Sequence, residues 1–233
     1  MTTNRHLRTV GRGLLYGTGI AVGVYAALAG TTWLRYGRVP IRSAQDSDAY
    51  LDRFMPRYEV LERHEQPVKA APAIVFAALC GVDFQRSAVI RAIFKGRELA
   101  LGSEPDDGSR PHGLLAFTKS IGWGVLAEEP GREIVMGGVT QPWLPNPVFR
   151  SLPPGEFAAF DEPDFVKIVW TLRVDAIGPS ESIARTETRV ITTDADARRK
   201  FRNYWSMVAP GTDLIRRMAL RLVKREAERQ ARS

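Results

Sequence analysis

Seven side chains in the second half of the chain are of types suited to holding a ligand: Trp123, Trp143, Trp170, Glu187, Arg189, Tyr204 and Trp205. Glu187 stands between Arg185 and Arg189 at alternate positions, so on a strand the three share one face. An arginine there could fix a carboxylate or phosphate head group bidentately. The competing reading is a surface ladder of ion pairs, which contributes little. The aromatic residues suit the walls of an apolar pocket with few polar anchors, or ordinary core packing.

Catalysis has thinner support. Asp161, Glu162 and Asp164 could supply a general base, but an acidic cluster of this kind is ordinarily a solvated loop. Cys80, between Leu79 and Gly81, reads as an inert core thiol. As the one cysteine of the chain it excludes an intramolecular disulfide framework. His6, His64 and His112 form no ligand-spaced pair, so no metal and no cofactor is expected. The sequence holds no G-x-S-x-G elbow, no phosphate-binding G-x-x-x-x-G-K-[ST] and no H-E-x-x-H.

The net charge of +7 is concentrated at the ends. Residues 1–42 carry +6 and residues 212–233 carry +4, which leaves −3 for the segment between them. A nucleic-acid partner requires a basic face on the folded part and is not expected.

Gly13 to Leu34 is a run of 22 uncharged residues, long enough as a helix to cross a bilayer. Arg5, Arg8 and Arg12 precede it, Arg35, Arg38 and Arg42 follow it, and Trp33 and Tyr36 mark its distal edge. The run is read as a single-pass transmembrane anchor. Ala27-Leu28-Ala29 before Gly30 also fits a signal-peptide cleavage pattern. Three arginines on each side leave the orientation open. The absence of N-x-[ST] and of paired cysteines leans towards a cytoplasmic domain. Gly13, Gly17, Gly19 and Gly23 have the spacing that lets two membrane helices approach, a route to self-association.

The elements that must position the candidate residues follow from periodicity. Residues 37–56 read as a juxtamembrane linker and 57–68 as a strand ended by Pro67 and Pro72. Ala71–Leu79 and Val82–Leu101 read as helices, the second with Val89, Ile90, Ile93, Phe94 and the Arg97 stem as its buried stripe. Gly102–Gly113 reads as an exposed loop. Trp123–Glu128 and Glu133–Thr140 form one expected hairpin, and Phe165–Ala176 and Ser182–Thr193 another. Between them lies the five-proline stretch Gln141–Pro154 and a short helical turn at Gly155–Phe160. Asp194–Ser206 and Thr212–Arg229 read as two final helices. The last carries Arg216, Arg217, Arg221, Lys224 and Arg225 on its outer face, for anionic head groups or simply for water.

This order argues an α+β fold. Three stretches resemble the SRPBCC, or START-like, superfamily that includes polyketide cyclase-like proteins: Arg63-His64 through Ala71-Pro72-Ala73-Ile74-Val75-Phe76-Ala77-Ala78-Leu79, Val125 to Glu133, and Thr186-Glu187-Thr188-Arg189-Val190. The resemblance implies a helix-grip fold over residues 57–230, a curved antiparallel sheet around a long C-terminal helix with a cavity between them. The expected organisation is an anchor at 1–36, a linker at 37–56 and this domain. The expected function is binding of a hydrophobic small molecule or lipid by a membrane-tethered domain without catalysis. A cyclase or hydratase-type enzyme and a protein-interaction module are the alternatives, since superfamily membership does not fix function.

Overall fold

The computed structural model describes residues 23–38, 47–83, 87–103 and 111–232. The elements in order are a helix over 23–35 (α1), α2 (Ala49–Phe54), β1 (Val60–Val68), α3 (Pro72–Gly81), α4 (Ala88–Leu101), α5 (Leu114–Ser120), β2 (Gly124–Glu129), β3 (Glu133–Thr140), α6 (Pro154–Ala159), β4 (Val166–Gly178), β5 (Glu181–Thr192) and α7 (Ala195–Gln230). The strands form one antiparallel sheet in the order β1-β5-β4-β3-β2. With α7 laid across one face, this α+β arrangement fits the helix-grip expectation.

Alternation along the strands sorts the side chains onto two faces. On the inner face Met136, Leu172, Val174 and Ala184 pack with Val75 and Leu79 of α3 and Leu220 and Val223 of α7. Towards the start of α7 a second inner cluster joins Val60, Val166 and Val190 to Phe201, Trp205 and Ala209. On the outer face Leu126, Val135, Val139 and Val169 are covered by Leu51, Phe54 and Met55 of the α2 region and by Phe157 of α6.

Several expectations are corrected. The stretch expected as linker contains α2, because Asp48 caps it by accepting from Leu51 N at 3.0 Å and Leu51 and Phe54 bury themselves on the sheet. β1 ends at Val68, as expected, and starts three residues later than expected; Pro67 sits inside it because β1 lies at the sheet edge, where a missing backbone donor is tolerated. The short helix α5 between the expected loop and the first hairpin carries no strong signal of its own. The two expected final helices are one. α7 passes through Pro210, and Ala209, Ala219 and Leu220 are buried on both sides of it. An interior proline costs about 3 kcal/mol, comparable to what burial of one or two large apolar side chains contributes.

Among the described residues no helix is long and apolar enough to cross a membrane. Residues 13–22 of the uncharged run lie outside the described residues. So do Gly13, Gly17 and Gly19 of the expected self-association face; a Cβ on Gly23 would meet nothing within 4 Å. The remainder of the run is α1, which rests along α7. The Tyr25 hydroxyl donates to Met207 O, Trp33 Nε1 donates to Asn203 Oδ1 at 3.1 Å, and Arg202 Nε donates to Trp33 O at 2.9 Å.

A chain of ion pairs crosses the outer face and returns to its starting helix. Asp48 meets Arg173 (3.5 Å), Arg173 meets Asp175 (2.7 Å), Asp175 meets Arg185 (2.9 Å) and Arg185 meets Glu65 (3.0 Å). Glu65 meets Arg63 (2.8 Å), Arg63 approaches Glu187 (3.9 Å), Glu187 meets Arg189 (2.8 Å) and Arg189 meets Asp52 (2.6 Å). Asp48 and Asp52 are one helical turn apart, so α2 closes the ring at both ends.

Candidate functional site

Polar residues interrupt the inner face midway along α7. Glu62 and His64 occupy alternate positions of β1 and project towards the helix; Asp213, Arg216 and Arg217 occupy one face of α7. His64 Nε2 lies 2.8 Å from Asp213 Oδ1, Arg217 Nε donates to Asp213 Oδ2 at 2.8 Å, and Arg216 Nη1 lies 2.7 Å from Glu62 Oε2. Thr188 and Thr186 pair in register with Glu62 and His64, and both are buried. The cluster thus sits between the two apolar parts of the inner face.

The two carboxyl groups are driven apart in acidity. Burial pushes Glu62 up, with Arg216 opposing it. The hydrogen bond from Arg217, against some burial, holds Asp213 below the usual carboxylate range. An ionised Asp213 accepts only, so His64 Nε2 is the donor in this bond. His64 is 8% exposed, and Nδ1 is buried without a hydrogen-bond partner.

Open space flanks the cluster on both sides. A recess of about 200 Å³ is bounded by Arg63, His64, Glu65, Gln66, Arg217, Leu220 and Arg221. A larger cleft of about 400 Å³ lies between α1, β1 and α7. Val60, Leu61, Trp205, Ala209 and Pro210 give it an apolar floor, and Leu28, Thr31 and Thr32 form its α1 wall. Arg35, Tyr36, Arg38, Glu59, Glu62 and Asp213 supply polar groups. The Tyr36 hydroxyl donates to Glu59 Oε2 at 2.6 Å, which fixes one corner.

The seven ligand-type residues are not brought together. Trp205 lines the larger cleft and stacks on Phe201 with ring centroids 5.8 Å apart. The Tyr204 ring is also 6.0 Å from that of Phe201, and Trp143 packs against the same cluster beneath the Lys200 ammonium. Trp123 and Trp170 meet edge to face at 6.0 Å in the other inner cluster, where Trp123 also stacks on Phe149. Glu187 and Arg189 point to the opposite face, under α2. Arg189 is fully buried there, donating to Met55 O at 2.9 Å and lying over the Tyr58 ring. Their ladder is a buried one.

The remaining candidates are tied into the fold. Asp164 accepts from Lys200 at 2.6 Å, and Glu162 pairs with Arg150 at 3.0 Å. Burial pushes the Cys80 thiol up to about 11, in keeping with an inert thiol. On α7, Lys224 donates to Pro67 O and pairs with Glu228, so three of the five expected outward bases serve internal contacts. Sequence reading missed the Glu62–His64–Asp213 grouping because 149 residues separate His64 from Asp213. The one available signal was the polar interruption at alternate positions of β1.

No family model matches the chain, and no curated protein matches it. Among solved structures it is similar to a hypothetical protein from Helicobacter pylori, with 7% identity, 82% of this chain and 99% of that chain covered, and a TM-score of 0.36. It is also similar to a protein from Chromobacterium violaceum (13% identity, 66% and 96% covered, TM-score 0.26). CalU16 from Micromonospora echinospora is a third (16% identity, 72% and 92% covered, TM-score 0.25). Superpositions this loose carry no argument about function, which rests on the site.

Proposed function

We propose that the chain is a START-like binding domain for an apolar small molecule or lipid, taken up in the cleft between α1, β1 and α7, and that its uncharged N-terminal run holds it to a membrane. The cleft carries the reading. Its volume of about 400 Å³ suits a small-molecule site, and it combines an apolar floor with a few charged groups. The body of the ligand would lie against Val60, Trp205 and Pro210. A polar head would reach the Arg35, Glu59 and Glu62 side chains. Tethering near a bilayer raises the effective concentration of a ligand that partitions there.

Native mass spectrometry of the full chain in lipid nanodiscs, followed by extraction of bound material, tests this. An apolar molecule should be retained reproducibly and lost in Ala209→Phe, which places a ring in the cleft. Equal retention by both proteins would refute the site.

A second reading, a proton-transfer enzyme of cyclase or hydratase type, is favoured by one observation: Glu62 and Asp213 are pushed apart in acidity beside the His64 ring, whose buried Nδ1 has no hydrogen-bond partner among the described residues. Turnover of an extracted ligand that Glu62→Gln abolishes while retaining binding would establish it.

A further inference from the structure

α1 is an unusual wall for a cleft. No residue between 23 and 35 is buried, and Val24, Leu28 and Leu34 are 54%, 50% and 61% exposed. A helix of this length has little stability of its own in water and needs an apolar contact face. Here its attachment to α7 is polar and thin. Among the described residues it includes the Arg202 guanidinium 3.5 Å from the Trp33 ring centroid and the Tyr25, Trp33 and Arg202 hydrogen bonds. Meanwhile Thr31 and Thr32 donate to Ala27 O and Leu28 O within α1 itself. Both hydroxyls are satisfied without water or α7, as the interior of a bilayer requires.

The occupant that fits the outer face is an anionic bilayer. α1 belongs to an uncharged run of 22 residues, its Trp33 and Tyr36 sit where interfacial aromatics belong, and Arg35 and Arg38 follow directly. A helix cannot remain laid along α7 as a cleft wall and also bury its whole circumference in lipid. We propose that α1 is an exchangeable wall: an anionic bilayer draws it off α7 and thereby opens the cleft towards the lipid phase, where an apolar ligand enters. This rests on the cleft being the binding site, and it adds the route by which ligand reaches it.

The test uses the full chain, synthesised without detergent, in a Cys80→Ser background with Leu34→Cys and Arg199→Cys carrying nitroxide labels; both positions are exposed. Electron–electron distance measurement reads whether α1 is docked, and a dansyl fatty acid reads the cleft. In solution the label pair should give one short distance. Adding vesicles of phosphatidylcholine with one-quarter phosphatidylglycerol should lengthen it and speed probe uptake. Arg35→Gln and Arg38→Gln should each weaken vesicle binding about fivefold. A distance unchanged on bound vesicles, with probe still bound, overturns the exchangeable wall and leaves the cleft reading standing. A distance that lengthens with no probe bound in either state overturns the cleft reading instead, and α1 is then a membrane contact alone.

Discussion

Arg189 offers a quantitative test of what the outer-face charges do. Replacement by methionine keeps most of the aliphatic bulk and removes a fully buried guanidinium. Glu187, 1% exposed, then loses its partner at 2.8 Å, and Met55 O loses the donor at 2.9 Å. Breaking a buried pair on one side costs about 3–5 kcal/mol. With a urea slope of about 2–3 kcal/mol per molar, that moves the unfolding midpoint down by roughly 1–2 M. Removing both charges with Arg189→Met and Glu187→Leu takes the buried carboxylate away together with its guanidinium. The double variant should therefore lose less than the single one, about 1–3 kcal/mol for the unpaired carbonyl. Asp52→Asn is the milder probe: Asp52 is 39% exposed, so its loss should cost about 1 kcal/mol or less. Hydrogen exchange should show α2 opening first in all three. A single variant within 1 kcal/mol of wild type, or a double variant worse than the single, would refute the view that these residues clamp α2 rather than hold a ligand.

Burial, with Asp48 nearby, pushes the Glu133 carboxyl up to about 7. The folded state then keeps a proton that the unfolded chain releases near about pH 4.3, so this group's contribution is full below that pH and fades as pH rises through about 7. Glu133→Gln should flatten the fall in stability across that window, and an unchanged pH profile of urea midpoints would count against it. Asp213, held low, has the opposite sign: its contribution is present above the usual carboxylate range and lost as pH falls through its depressed value, so Asp213→Asn should cost stability at pH 7 and little at the acid end. Gly122 has φ of +101°, and a Cβ there would strike Phe149 O, so Gly122→Ala should cost about 1–3 kcal/mol from backbone strain alone; an unaltered Tm would sink that account. With its thiol raised to about 11, Cys80 should react slowly with a thiol reagent at pH 8 in the native protein and rapidly in urea.

Local patterns made much of the fold legible in advance. The alternation of Val166, Ile168, Trp170, Leu172 and Val174 announced β4 and its inner face, proline at the first turn announced α3, and Asp194 announced the start of α7, where it accepts from Ala197 N at 2.7 Å. These signals lie within one element, so neighbouring residues suffice to read them. The break expected between Ser206 and Thr212 is absent: α7 continues through Pro210, whose cost is outweighed by burial against strands far away in sequence. The charged face of β5 was legible as a face, yet α2 decided that it would be a buried clamp. Periodicity says which residues share a side of a strand, while the element docked there decides whether that side meets water, a ligand or a helix. The pairing of His64 with Asp213 and the cleft behind Trp205 belong wholly to the tertiary structure. They arise where β1 and α7 cross, a meeting that neither segment encodes in its own spacing.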